Sequence, residues 1–204
     1  MPTLVIETAT AACSVALLED RRILGQRHEL VGRGHAERLL PMIAELLDGA
    51  RADAILVDCG PGSFTGVRVG IAAARGLGLG WKVPVTGYSS LALIAAAAAV
   101  EEDVAEIDVA IGGGHGELFV QRFATSPFRP LGAMASLIPD AAGRLATADL
   151  VVGSAAEMLV AARGHGRAIG RLPRAADAML LPAALATLPP SPIYGRAPDA
   201  KRPA

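Results

Sequence analysis

The chain has 204 residues, 52% hydrophobic and only 3% aromatic, and its 19 basic and 20 acidic residues leave a formal net charge of −1. The length allows one large domain or two small ones, and the near-zero charge argues against a protein that holds nucleic acid through a basic surface of its own. The sequence has no signal-peptide pattern at its start, no apolar run of the roughly 20 residues that span a membrane, and no cysteine spacing typical of a metal site, so we expect a cytoplasmic protein without a structural metal.

The first hundred residues alternate between short apolar segments, which favour strands, and longer segments with apolar side chains at helical spacing. Strands are predicted at residues 4–6, 13–18, 23–30, 54–59 and 83–86. Helices are predicted at residues 35–47, at residues 67–80 and, capped by Ser89 or Ser90, up to Val100. Pro41 predicts a kink in the first helix or a later start for it.

The order of these elements predicts an α/β fold with a mixed sheet, in which a three-strand meander is continued by helical crossovers. Such an order is typical of a ribonuclease-H-like lobe. The charged residues 101–103 mark a change in composition. We therefore expect an N-terminal lobe at residues 1–102 and a smaller C-terminal lobe at residues 103–204.

Beyond that boundary the pattern is weaker. It predicts a hairpin, a short strand, a short helix and an extended proline-rich tail, at residues 107–123, 150–152, 155–162 and 188–204.

A glycine-rich loop between a buried strand and the second helix is the sharpest local feature. Backbone N–H groups at a helix N-terminus suit an anion, which predicts an anion-binding or nucleotide-proximal loop at Gly60, Gly62, Ser63 and Thr65. The loop lacks the lysine of a P-loop and the third glycine of a dinucleotide fingerprint. The alternative is a tight turn in which the glycines only permit the backbone path.

The second helix has small residues at every fourth position, namely Gly66, Gly70, Ala74 and Gly78. Glycine inside a helix costs about 1 kcal/mol relative to alanine, so we expect another backbone to approach this face closely. The face packs either on the chain's own sheet or on another chain. Arg68 and Arg75, on the same helix, meet either carboxylates of a partner or solvent.

The first helix is apolar over more than one stripe, which favours one buried face on the sheet and one on a partner. The predicted partner interface therefore combines the two helices. Its residues are Leu39, Leu40, Met42, Ile43, Leu46, Gly66, Gly70, Ala74 and Gly78.

Several strings carry a family likeness. They are residues 4–10 (LVIETAT), 13–17 (CSVAL), 35–43 (HAERLLPMI), 60–70 (GPGSFTGVRVG) and 192–201 (PIYGRAPDAK). Together they resemble the bacterial TsaB family, also called YeaZ. The likeness is dense over the first hundred residues and thin after them.

The resemblance implies an actin-like ATPase fold of two ribonuclease-H-like lobes, and a role in making N6-threonylcarbamoyladenosine at position 37 of tRNA. In that family a TsaD subunit carries the transferase site and its metal, a TsaE ATPase joins, and TsaB is a scaffold that docks onto TsaD through a helical bundle. The resemblance thus implies an accessory subunit that is not an enzyme, forms a homodimer in isolation, and meets tRNA only through the complex. It implies no cofactor and no membrane partner.

Two departures from the family stand out. Glu7 replaces the aspartate that usually ends the first strand and helps to hold metal and nucleotide in ATPases of this fold, so we predict no independent ATP site. Residues 113–115 replace an Asp-Ala-Arg-like turn. A two-histidine metal site of the TsaD kind is not expected either, because Leu39 stands four residues after His35.

Two other functions stay open from the sequence. One is a stand-alone ATPase or kinase of the same fold. The other is a glycoprotease-like peptidase using Ser63, His35 and Asp58, although Pro61 and Thr65 stand where a nucleophile elbow needs glycines.

Overall fold

The computed structural model describes residues 1–195. Five strands form the first sheet: β1 (Thr3–Glu7), β2 (Ala12–Glu19), β3 (Arg22–Leu30), β4 (Ala54–Asp58) and β5 (Val85–Tyr88). Their order is β3-β2-β1-β4-β5. β2 pairs antiparallel with β1 and β3, while β4 runs parallel to β1 and β5. The apolar strands β1 and β4 lie at the centre and are buried on both faces, whereas the more polar β3 forms an edge.

Three helices cover this sheet: α1 (His35–Leu47), α2 (Phe64–Trp81) and α3 (Ser90–Glu101). Side chains of successive strand residues point to opposite faces, so Leu4 and Ile6 of β1 pack with α1 and α2, and Val5 packs with α3. α1 begins at His35 and continues through Pro41, so the expected later start is wrong. α2 begins at Phe64, three residues before its predicted start.

The second sheet has six strands: β6 (Glu106–Gly112), β7 (Leu118–Thr125), β8 (Phe128–Pro130), β9 (Ala135–Leu137), β10 (Leu150–Val152) and β11 (Arg167–Ile169). The order is β11-β10-β6-β7-β8, and β9 also pairs with β7. Two short helices, α4 (Pro139–Leu145) and α5 (Ala156–Arg163), cover its outer face.

α3 lies between the two sheets. It is apolar on all sides, with the residues from Ser90 to Ala98 buried, as expected for a helix enclosed by a core. Val5 of the first sheet and Ile107 and Val109 of the second belong to the same apolar cluster as α3. One helix therefore joins the two halves of the structure.

Residues 188–195, the strap, return from the second half to the first sheet. The backbone N–H of Gly87 donates to the Leu188 carbonyl (2.7 Å), and the Ile193 N–H donates to the Cys59 carbonyl (2.7 Å). The predicted tail begins at Leu188, and its last nine residues, 196–204, lie outside the described residues.

The predicted α/β class with two sheets is confirmed. The predicted boundary after residue 102 falls between α3 and β6 and stays a prediction, since α3 packs on both sheets. Among residues 1–195, no helix is both long and apolar enough to cross a membrane.

Candidate functional site

The glycine-rich loop is pressed onto the turn that follows β1. A Cβ atom at Gly62 would overlap the Ala9 carbonyl oxygen, and one at Gly66 would overlap the Thr8 carbonyl oxygen. The hydroxyl of Thr8 also donates to the carbonyl of Gly66 (2.8 Å). Close backbone approach therefore explains these two glycines without a ligand.

Several N–H groups of this loop are already used within the chain. The N–H of Gly60 donates to Oδ1 of Asp58 (3.0 Å), and that of Ser63 to the Ala9 carbonyl (2.7 Å). The N–H of Gly66 donates to Oγ of Ser63 (3.2 Å), which caps α2 and explains its early start. The predicted anion site stays a prediction. The loop has fewer N–H groups free to bind an anion than the glycine spacing alone indicates, because those of Gly60, Ser63 and Gly66 donate within the chain.

A cleft of about 860 Å³ opens where the ends of the two sheets face each other. Its walls are the turn after β1, the start of α2, the turn between β6 and β7, and the end of the strap. Of the four predicted anion-loop residues, Gly62 and Ser63 line it. The unusual turn at residues 113–115 lies directly on its wall. Most of the cleft wall is apolar, with ionisable side chains at Arg33, Arg68, His115 and Glu117.

Glu7 is fully buried below this cleft. Its carboxylate accepts hydrogen bonds from the Ala9 N–H (2.9 Å) and the Tyr88 hydroxyl (3.0 Å). Burial raises the pKa of Glu7 well above its usual value, and the charge of Asp58 raises it further. Glu7 thus serves the core of the first sheet.

Asp58, at the end of β4, is the second buried carboxyl. Its Oδ1 accepts from the Ser90 hydroxyl (2.7 Å) and the Gly60 N–H, while its Oδ2 is buried with no hydrogen-bond partner. Burial raises the pKa of Asp58 to about 7, because desolvation outweighs those hydrogen bonds.

The three residues of the peptidase alternative are engaged separately. Nε2 of His35 is bonded to the carbonyls of Thr10 (2.9 Å) and Ala12 (3.2 Å). Ser63 caps α2, and Asp58 holds Ser90. Within residues 1–195, no group of three or more His, Cys, Asp or Glu side chains is placed to hold a metal ion.

Arg68 joins the start of α2 to the strap. Its guanidinium carbon lies 3.2 Å from the ring centre of Phe64 and 5.4 Å from that of Tyr194. It also donates to the Tyr194 hydroxyl (2.9 Å). Arg75 donates to the Ser191 hydroxyl of the strap (3.4 Å). The two arginines therefore contact the chain's own strap, and Arg75 is also exposed to solvent, as one of the two alternatives from the sequence expects.

The small-residue face of α2 is covered by the chain itself. Gly66, Gly70, Ala74 and Gly78 are all buried. A Cβ at Gly70 would overlap the Thr8 hydroxyl, and one at Gly78 would overlap the Val85 side chain. Placing these four residues in a partner interface was wrong, because all four are buried and the atoms nearest to the three glycines belong to the first sheet and the turn after β1.

The predicted interface residues of the first helix differ in their exposure to solvent. Leu39, Met42 and Ile43 are buried in the chain's own core, so they too are unavailable to a partner. Leu46 is half-buried and lies against Gly25 of β3. Of the five residues predicted on α1, Leu40 alone is mostly exposed, at 53%.

A different set of residues forms the outer face of the two helices. Arg38 of α1 bonds Glu29 of β3, which places Leu40 and Ala44 on the opposite side of the helix, towards α2. The outer face comprises Leu40, Ala44, Val69, Ala72, Gly76, Leu79 and Gly80. None of these residues is charged, Leu79 is 83% exposed, and the space beside Gly76 and Gly80 is open. The sequence shows the four-residue spacing of Ala72, Gly76 and Gly80, but not that this side of the helix is exposed.

Comparisons with known proteins identify similar chains. A family model described as "TsaD: tRNA N6-adenosine threonylcarbamoyltransferase" matches residues 22–169. The "tRNA threonylcarbamoyladenosine biosynthesis protein TsaB" of Escherichia coli K12 is 40% identical over 124 residues, which cover 58% of this chain and 53% of that protein. The protein of the same description from Haemophilus influenzae is 44% identical over 117 residues, covering 52% and 48%. The chain thus spans about half the length of the curated relatives it matches.

Solved structures extend the similarity over nearly the whole chain. The structure described as "YeaZ from Pseudomonas aeruginosa" has a TM-score of 0.80 and 33% sequence identity, covering 95% of this chain and 99% of that one.

Proposed function

The chain belongs to the TsaB (YeaZ) family, and we propose that it is a non-catalytic scaffold subunit. In this role it docks onto a TsaD-like transferase for the N6-threonylcarbamoyladenosine modification of tRNA. In this proposal a TsaE-like ATPase joins the same assembly, and tRNA is bound through the complex. A second copy of the chain occupies the docking surface when the transferase is absent. Because the substrate is tRNA, we place the subunit in the cytoplasm.

The outer face of α1 and α2 is the observation that carries the proposal. Leu40 and Leu79 stand exposed on it, and Ala72 and Gly76 leave room between them for a partner's side chains. An uncharged, apolar surface made from two adjacent helices suits packing by further helices, because small residues allow close approach. This surface replaces the buried residues of the predicted interface.

The buried carboxyls support a role without catalysis. In ATPases of this fold the end of the first strand presents a carboxylate to metal and nucleotide. Here Glu7 is enclosed and bonded to Ala9 and Tyr88, so its carboxylate does not line the cleft. This arrangement favours a scaffold over the alternative of a stand-alone ATPase or kinase.

Co-purification with the TsaD-like protein of the same organism tests the proposal, using Gly76→Trp as the key variant. The indole would project from the outer face into open space, so we expect a folded chain that loses at least about tenfold in affinity for the partner. Gly170→Trp is the matched control, since Gly170 is also exposed beside open space but lies after β11. It should bind as the wild type does.

The outcomes separate the two levels of the proposal. A wild-type chain that does not co-purify with the TsaD-like protein contradicts the scaffold function itself. Wild-type affinity in Gly76→Trp contradicts the outer face alone. Calorimetry with ATP and magnesium on the isolated chain tests the absence of catalysis, and binding with turnover would favour the ATPase alternative.

A further inference from the structure

Phe64 and Tyr194 stand apart from the other aromatic side chains. The chain has one Trp, two Tyr and four Phe, all within residues 1–195. Phe64 is 70% exposed and Tyr194 is 61% exposed, whereas the other five are buried or half-buried. Large aromatic rings bury favourably, so two exposed rings at one place need a reason.

The two rings share one arginine at the mouth of the cleft. Both ring centres lie within 6 Å of the Arg68 guanidinium carbon, and the Tyr194 hydroxyl accepts a hydrogen bond from the same side chain. This contact covers one face of Phe64 and holds both rings in place. The remaining ring surface is presented to solvent beside the cleft.

The side chains of Phe64, Arg68 and Tyr194 at the mouth of the cleft suit a ligand in which a flat ring is attached to an anion. Exposed aromatic rings with adjacent arginine stack on nucleobases, and such stacking tolerates any base. Two arginines and one glutamate line the cleft, and this positive balance favours a phosphate-linked ligand over a cationic one.

We propose that Phe64, Arg68 and Tyr194 form a stacking platform for an unpaired base of a single-stranded RNA loop. The inference rests on the proposed function, which supplies the RNA as a substrate tRNA, and it adds a direct contact from this subunit within the assembly. Phe64 is the first residue of α2, so the platform stands on the same helix that contributes to the outer face where the transferase subunit would dock. Because the net charge of this chain is −1, we expect the partner subunit to supply the long-range attraction for the RNA phosphate backbone.

The test uses the assembly of this chain with its TsaD-like partner and a labelled hairpin RNA with an adenosine-containing loop. Phe64→Ala and Tyr194→Ala should each weaken RNA binding by about tenfold, the loss expected for one base stack. Phe64→Tyr keeps a stacking ring and should restore binding. Met158→Ala is the control, because Met158 is 53% exposed on α5 and does not line the cleft.

Salt dependence distinguishes stacking from a change in charge contacts. The slope of log affinity against log salt, measured between about 50 and 200 mM, should be the same in Phe64→Ala as in the wild type, because no phosphate contact is removed. Binding of a fully paired RNA without a loop should be unaffected by the variant.

Three results would overturn the inference. Wild-type RNA affinity in both alanine variants would contradict the stacking platform. A failure of the wild-type assembly to bind the hairpin RNA would contradict it as well. If the folded Phe64→Ala variant no longer bound the TsaD-like partner, Phe64 would belong to a contact between the two proteins and not to an RNA site. The scaffold function is judged separately, by co-purification of the wild-type chain.

Discussion

Helix α2 has small residues on two opposite faces, and the two faces have different neighbours. The inner series, Gly66, Gly70, Ala74 and Gly78, is buried against the first sheet and its turns. The outer series, Ala72, Gly76 and Gly80, is exposed, with open space beside both glycines. Identical spacing thus serves intramolecular packing on one face and leaves a smooth, uncharged surface on the other.

The difference separates two physical reasons for a glycine in a helix. At Gly66 and Gly70 on the inner face a methyl group has no room, because the Thr8 carbonyl and hydroxyl occupy its place. On the outer face a methyl group has room, so the conformational cost of glycine is not offset within the chain. An uncompensated cost on an exposed surface favours a partner that packs there.

Gly66→Ala is expected to have the largest effect and tests the inner face. Its Cβ would overlap the Thr8 carbonyl oxygen, a backbone atom one residue after the paired strand β1. We expect a loss of about 4 kcal/mol or more in the free energy of unfolding. Urea denaturation of the purified chain measures it. A variant as stable as the wild type would show that the turn after β1 yields easily, and would remove the distinction between the faces.

The second prediction concerns the buried carboxyl of Asp58, at the end of β4. The pKa of Asp58 is raised to about 7 in the native state from an ordinary value of 3.8, so between these values the native chain binds a proton that the unfolded chain has released. Stability is therefore fully present below pH 4 and falls as the pH rises towards 7, by on the order of 4 kcal/mol. The pKa of Glu7 is also raised, which acts in the same direction.

Asp58→Asn isolates this effect. Asparagine keeps the oxygen that accepts from Gly60 and Ser90 but carries no charge. In urea denaturation series from pH 4 to pH 8, the variant should lose less stability than the wild type as the pH rises. Parallel pH profiles for the two proteins would contradict the assignment.

The sequence predicts the first half well because its signals are local. β1, β2 and β4 are apolar runs closed by turns, and α1 has apolar residues at helical spacing. In the second half, β8, β9 and β11 are three residues long, and α4 has seven. Segments this short have no period of their own and depend on pairing with β7 and β10.

The candidate site is less predictable, since it depends on distant parts of the chain. The sequence reveals the small residues of α2, but not which molecule covers each face. Arg68 and Tyr194 are separated by 126 positions and meet only because the strap returns to β5. The exposure of Phe64 is likewise a property of the fold, since a large apolar residue at this position would be expected in the core from the sequence alone.

Gly76→Ala, the smallest of the expected effects, compares the outer face directly with Gly66→Ala. Nothing lies within 4 Å of a Cβ at Gly76, so the substitution removes the flexibility of glycine without a clash. We expect the free energy of unfolding to rise by about 0.5–1 kcal/mol, opposite in sign to the change at Gly66. Thermal and urea unfolding of the isolated chain measure it, at a protein concentration low enough to avoid self-association. Destabilisation here would mean that the outer face already packs against something in the isolated chain, and the contrast between the two faces of α2 would then fail.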